Sequence, residues 1–240
     1  MINEKQFVEN YGFFWKSSLP LSNFFLREVN NHQVKGDFDF LTSQINGRRR
    51  SFLSEVSFKL LKDSYEYEYD FSDDTKLSER LVNVEKICRD FFKLYQEADS
   101  QLYDYLNEDE KKETIELSKR IKNFLNEYLK CKELLVYPKF SGCGFLDTCY
   151  GDILVDNILF ELKMVNRNFQ LNDFKQLIVY CTLNFLSNEH KIEKIGLYNP
   201  RKGKYVIYDL DEFCLNISGK TSTSLFSEVI EYVSSGELSK

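Results

Sequence analysis

Tyr150-Gly151-Asp152-Ile153-Leu154-Val155-Asp156-Asn157-Ile158-Leu159-Phe160-Glu161-Leu162-Lys163 reads as a β-hairpin. Asp156-Asn157 tolerates the positive φ that a tight two-residue turn requires. With the turn there, Val155 pairs with Ile158. Counting outward sets Asp152 opposite Glu161, and Tyr150 opposite Lys163. Side chains alternate along a strand. Ile153, Val155, Ile158, Phe160, Leu162 and Met164 therefore share one apolar face, which belongs in the core. Tyr150, Asp152, Leu154, Leu159, Glu161 and Lys163 share the other.

The second face carries the chemistry. Two carboxylates directly opposed on neighbouring strands repel each other. A divalent cation turns that cost into a binding site, and magnesium is typically held by one or two carboxylates with waters and substrate phosphates. Asp152 and Glu161 are thus the expected ligands of Mg2+ or Mn2+. Lys163, two residues beyond Glu161, projects from the same face, where an ammonium orients a nucleophile or offsets developing negative charge. A metal there lowers the pKa of its bound water and polarises a phosphate. Asp152, Glu161 and Lys163 are the expected catalytic set. A solvated face with a Glu161–Lys163 ion pair is the plainer alternative, since Glu-x-Lys alone is common. The conjunction of apolar strand, Gly-Asp start, opposed carboxylates and in-phase lysine favours the site.

Around the hairpin the periodicity changes twice. Residues 1–108 read as mainly helical, with Phe7, Tyr11 and Phe14, then Leu53, Val56, Leu60 and Leu61, at helical spacing. Residues 76–106 follow, with Leu81, Val84, Ile87, Phe91, Phe92 and Tyr95 as their stripe. Between them Ser64-Tyr65-Glu66-Tyr67-Glu68-Tyr69-Asp70 alternates tyrosine with acid, which predicts an extended segment. Residues 109–130 form an amphipathic helix on Leu117, Ile121, Phe124, Leu125, Tyr128 and Leu129. A strand at Leu134-Leu135-Val136-Tyr137, a loop at Ser141-Gly142-Cys143-Gly144, the hairpin and a helix near 172–186 follow. Strands at 194–198 and 204–209 and a helix at 222–234 close the chain. The expectation is an α/β (α+β) protein. It comprises an N-terminal mainly helical accessory region, 1–108, and a domain at 109–240 with a central mixed sheet flanked by helices.

Composition narrows the class. A hydrophobic fraction of 42% with 15% aromatics supports a packed core rather than disorder. No stretch approaches the ~20 apolar residues of a membrane span, and the start lacks the pattern of a secretion signal. Cys88, Cys131, Cys143, Cys149, Cys181 and Cys214 form no CxxC pair, so a reduced, cytoplasmic setting is expected. Residues 1–108 carry 14 basic and 19 acidic side chains, residues 109–240 carry 18 and 19. The near-neutral second part leaves room for a phosphate-facing surface.

These residues resemble the PD-(D/E)xK, or restriction-endonuclease-like, nuclease superfamily, with the motif at Asp152…Glu161-Leu162-Lys163. The family's α-β-β-β-α-β core matches residues 109 to about 198. Gly151 stands where the family often has proline. Gln176-Leu177-Ile178-Val179-Tyr180 looks like the QxxxY motif of the RecB-like and Cas4-like branch, whose iron–sulfur cysteines this chain does not match. The resemblance implies a metal-dependent nuclease acting on DNA, in phage defence or recombination. It makes Gln176 and Tyr180, which share a helix face, contacts to the substrate or to the catalytic groups. Phe174, Ile178, Cys181 and Phe185 form the helix's core stripe. Arg167 and Lys175 are candidate phosphate contacts, and Glu113 and Glu116 candidate extra ligands. Arg48-Arg49-Arg50 is a helix start or a surface loop, with phosphate contact as the alternative. The alternatives are a non-enzymatic nuclease-fold subunit that binds DNA or a protein partner, and an interaction protein working through its N-terminal region.

Overall fold

Asp156, at φ 50°, turns the chain back on itself, and the register pairs Val155 with Ile158, Leu154 with Leu159 and Ile153 with Phe160. The hairpin forms in the register read from the sequence. The computed structural model describes residues 1–32, 34–36, 38–42, 45, 47–95 and 100–235; the side chains of Val34, Lys35, Tyr95, Ser100, Gln101 and Tyr128 lie outside the described set.

In chain order the elements are α1 (Glu4–Asn10), α2 (Gly12–Ser18), α3 (Ser22–Asn31), β1 (Val34–Lys35), α4 (Arg50–Glu66), α5 (Asp74–Tyr95) and α6 (Glu108–Asn123). A π turn, Phe124–Tyr128, ends the α6 region. Then come β2 (Leu134–Val136), β3 (Lys139–Phe140), β4 (Cys149–Tyr150), β5 (Ile153–Val155), β6 (Ile158–Leu162), α7 (Leu171–Ser187), β7 (Lys194–Asn199), β8 (Lys204–Asp209), α8 (Leu210–Ser218) and α9 (Ser222–Ser234). The protein is mixed α/β. Its main sheet runs β2-β5-β6-β7-β8, with two-residue β1 added at the β8 edge, and β3 and β4 pair separately. The β6–β7 pair is parallel and the other pairs are antiparallel. A parallel pair needs a crossover, and α7 supplies it.

Both faces of the sheet are covered. Ile153, Val155, Phe160 and Met164 pack with Leu117, Ile121, Phe124 and Leu125 around α6, and with Phe58 and Leu61 of α4. This is the apolar face assigned from alternation. Leu154 and Leu159, on the opposite face, pack under Phe174, Leu177 and Ile178 of α7. The same cluster takes in Phe7, Trp15 and Phe25 of α1–α3 and Val229 of α9. Phe52, Leu53, Val56 and Leu60 of α4 join Leu77, Leu81, Val84, Cys88 and Phe92 of α5 in a further cluster.

Close approaches depend on small residues. Ser57 and Ser118 are fully buried, and the Ser118 hydroxyl donates to the Ser57 carbonyl at 2.8 Å, between α4 and α6. Gly196 lies opposite Phe160 in the β6–β7 register, and a Cβ there would land on the Phe160 ring. Gly196→Ala is expected to lower stability by about 1–3 kcal/mol through overpacking. A urea titration should show a lower midpoint with an unchanged slope.

Several expectations are corrected. The tyrosine–acid alternation is not extended: α4 runs through Glu66, and the chain turns with Glu68 at φ 49°. Helical burial of Leu60, Leu61 and Ser64 outweighs the alternation, and Tyr69 folds back with its hydroxyl 3.3 Å from the Leu60 carbonyl. The α5 stripe is rotated from the one read: Leu77, Leu81, Val84, Cys88 and Phe92 face in, while Ile87 and Phe91 are exposed. Phe185, expected in the α7 core stripe, is exposed as well. Helix α8, capped by the Asp209 side chain on the Asp211 amide at 3.1 Å, was not anticipated. Nor was the β3–β4 pair, which redirects Tyr150. Tyr150 sits opposite Lys139 rather than Lys163. The Gly151 amide bonds to the Pro138 carbonyl at 3.0 Å, carrying the chain away from β6.

Candidate active site

One carboxylate stands at the start of the hairpin and the other on its second strand. Asp152 immediately precedes β5, and its Oδ2 accepts the Leu162 amide of β6 at 2.6 Å. Extending the β5–β6 register one step sets Asp152 opposite Glu161. Glu161 is central in the sheet, with Leu197 of β7 on its other side. It is 6% exposed, and its Oε2 is buried with no hydrogen-bond partner. A buried carboxylate oxygen without a donor is costly. Burial first, and then the Glu161 charge, hold the Asp152 carboxyl well above the usual carboxylate range. The two acids share one environment and repel.

Lys163 answers Glu161. Its Nζ donates to Glu161 Oε1 at 2.9 Å and to Gln176 Oε1 at 2.5 Å. Burial alone would lower this ammonium's pKa, but Glu161 and Asp173 reverse the effect and it is raised. The group therefore stays charged. Its backbone is fixed as well, since the Lys163 amide bonds to the Tyr198 carbonyl of β7 at 2.8 Å.

Helix α7 covers this face of the hairpin, so the second face is enclosed rather than solvated. Gln176 and Tyr180 are both buried. Gln176 reaches Lys163 directly. Tyr180 stacks on Phe140, ring centroids 5.4 Å apart, and its hydroxyl pKa is pushed up by burial and then by Glu161 and Asp152. The structure thus brings Asp152, Glu161, Lys163, Gln176 and Tyr180 together.

Other candidates separate. Lys175 is buried on the far side of α7, 3.1 Å from Asn172 Oδ1 and over the Trp15 ring. It is not placed to meet a phosphate in this arrangement. Arg167 is partly exposed and bidentate to Asp173, at 2.7 and 2.8 Å. Glu113 is paired with Arg201, and Glu116 with Arg120. Arg49 binds Glu110 and the Leu102 carbonyl, and Arg50 starts α4, so the arginine run is a helix start. All six cysteines are free thiols.

Two neighbours escaped the sequence reading. Asp173 lies 3.6 Å from Lys163 Nζ. Its signal was present, since it falls three residues before Gln176 on one helix. Lys5 of α1 adds a positive charge that pulls on Asp152. No local pattern announces that long-range approach.

A hard divalent cation fits the two-carboxylate donor set, the partnerless Glu161 Oε2 above all. Among the described residues no group of three or more His, Cys, Asp or Glu side chains is placed to hold a metal. Any such ion would complete its shell with water, backbone or substrate oxygens. Neither protein-family models nor curated proteins give a match to the chain.

Proposed function

We propose that the protein is a divalent-metal-dependent nuclease of the PD-(D/E)xK type that hydrolyses phosphodiester bonds of DNA. The observation that carries the reading is Glu161. One of its oxygens binds the in-phase Lys163, and the other is buried without a partner beside a second carboxylate. The succession α6-β2-β5-β6-α7-β7, with β5 between β2 and β6, supports the family core.

Asp152 and Glu161 would hold Mg2+ or Mn2+. Bound there, such an ion supplies a water of lowered pKa and polarises a phosphoryl oxygen. Lys163 places a permanent charge at the edge of the same site, suited to offset charge on the phosphate as the bond breaks. Gln176 accepts from the lysine, and Tyr180, stacked on Phe140, packs beside the two acids. Service in phage defence or recombination belongs to the same proposal, as does a protein partner for the N-terminal region. No helix among the described residues is long and apolar enough to cross a membrane.

A second reading is a nuclease-fold subunit that binds DNA or a partner without cutting. The burial of Glu161 and Lys163 under α7 favours it. The deciding assay incubates purified protein with linear, circular and single-stranded DNA, and with RNA, in Mg2+ or Mn2+. Metal-dependent cleavage that disappears in Lys163→Ala supports the nuclease. Tight binding without cleavage supports the subunit.

A further inference from the structure

We propose that Asp173 is the positioning residue of Lys163, a fixed anion that sets where the ammonium stands beside Glu161. The inference rests on Lys163 being the site's catalytic lysine, and it names a residue that reading does not use.

The lysine has three N–H donors. Two go to Glu161 and Gln176, at 2.9 and 2.5 Å. Toward the third anchor, Asp173 Oδ1, the distance is 3.6 Å: an ion pair, too long for a hydrogen bond. Of the two anions near Nζ, Glu161 is the one proposed to engage a cation. Its hold on the lysine is therefore the one that changes when the site is loaded. Asp173 stays.

Asp173 is itself immobilised. It is almost fully buried, Arg167 grips both its oxygens, and the Gln170 amide donates to Oδ2 at 2.8 Å. A residue serving only the first turn of α7 needs the Gln170 contact alone. The bidentate arginine on one side and the lysine on the other exceed that need. They fix the carboxylate in one rotamer with Oδ1 toward the site. Arg167 also balances the charge, so that Asp173 orients Lys163 without drawing it away from Glu161.

Asparagine separates the two roles. Asp173→Asn keeps an acceptor for the Gln170 amide and removes the charge. In the full chain with Mg2+ and linear duplex DNA, kcat should fall by on the order of 10- to 100-fold, with KM little changed. The second readout is the Lys163 side-chain ammonium resonance, assigned by its disappearance in Lys163→Met. It should shift and broaden in Asp173→Asn while the thermal midpoint stays near that of the unsubstituted protein. Arg167→Met should move both readouts the same way, less far. An unchanged ammonium resonance overturns the proposal, whether kcat falls or not, because the loss would then come from the helix turn. If the unsubstituted protein cleaves nothing, the nuclease reading fails by itself, and the resonance still decides the positioning role.

Discussion

Glu161→Gln is expected to abolish cleavage, lowering kcat by on the order of 10³-fold or more. Charge stabilisation by a metal held at the proposed site would be worth several kcal/mol, and each 1.4 kcal/mol or so is a factor of ten. A second effect should accompany the first. A ligand that binds only the folded state stabilises it by about 2.7 kcal/mol at a hundredfold excess over Kd. Mg2+ should therefore raise the melting temperature of the unsubstituted protein and leave Glu161→Gln unmoved. Calorimetry with and without Mg2+, beside the cleavage assay, reads both. Cleavage that survives in Glu161→Gln would sink the site. A metal response that survives would place the cation elsewhere.

The second large effect concerns Arg201, which is 1% exposed. Its Nη2 donates to Glu113 at 2.6 Å and its Nε to the Met164 carbonyl at 3.4 Å, while Nη1 is buried without a partner. It thus ties the β7–β8 turn to α6 and to the segment just after Lys163. Arg201→Met strands the Glu113 carboxylate in the interior and should cost about 3–5 kcal/mol. That is a large share of a total stability of about 5–15 kcal/mol. Adding Glu113→Leu should restore most of the loss, because replacing both members of a buried pair by apolar groups is often neutral. A double-mutant cycle in urea measures the coupling. Simple addition of the two losses would show that the residues act independently.

The hairpin was legible because its information is local. A turn of two residues fixes the register, register fixes the faces, and one face is wholly apolar. The strands at 194–199 and 204–209 and the helices at 171–187 and 222–234 were legible for the same reason. Tyr150 was not, because its partner is chosen by the Gly151–Pro138 contact, which lies outside the hairpin. At Ser64–Asp70 the apolar residues just before the alternation carry α4 through Glu66 and override it. On α5, Cys88 is buried while Ile87 is exposed, a choice made by α4 and invisible in hydropathy. For the candidate site, residue types and spacing single out Asp152, Glu161 and Lys163, the family resemblance adds Gln176 and Tyr180, and the fold brings the five side chains together. The enclosure by α7, the anchor at Asp173 and the approach of Lys5 depend on tertiary placement.

Helix α4 has a consequence for how the molecule can be taken apart. Its Phe52, Leu53, Val56 and Leu60 belong to the α5 cluster, and its Phe58 and Leu61 to the one beneath the sheet. On the opposite side of the sheet, Phe7, Trp15 and Phe25 fill the cluster that backs α7. A fragment cut at residue 109 would carry every motif residue and still lack part of the wall on each side of its sheet. The candidate residues lie in a short cassette, but the cassette is not portable: helices α1 to α4 are part of the vessel that holds it.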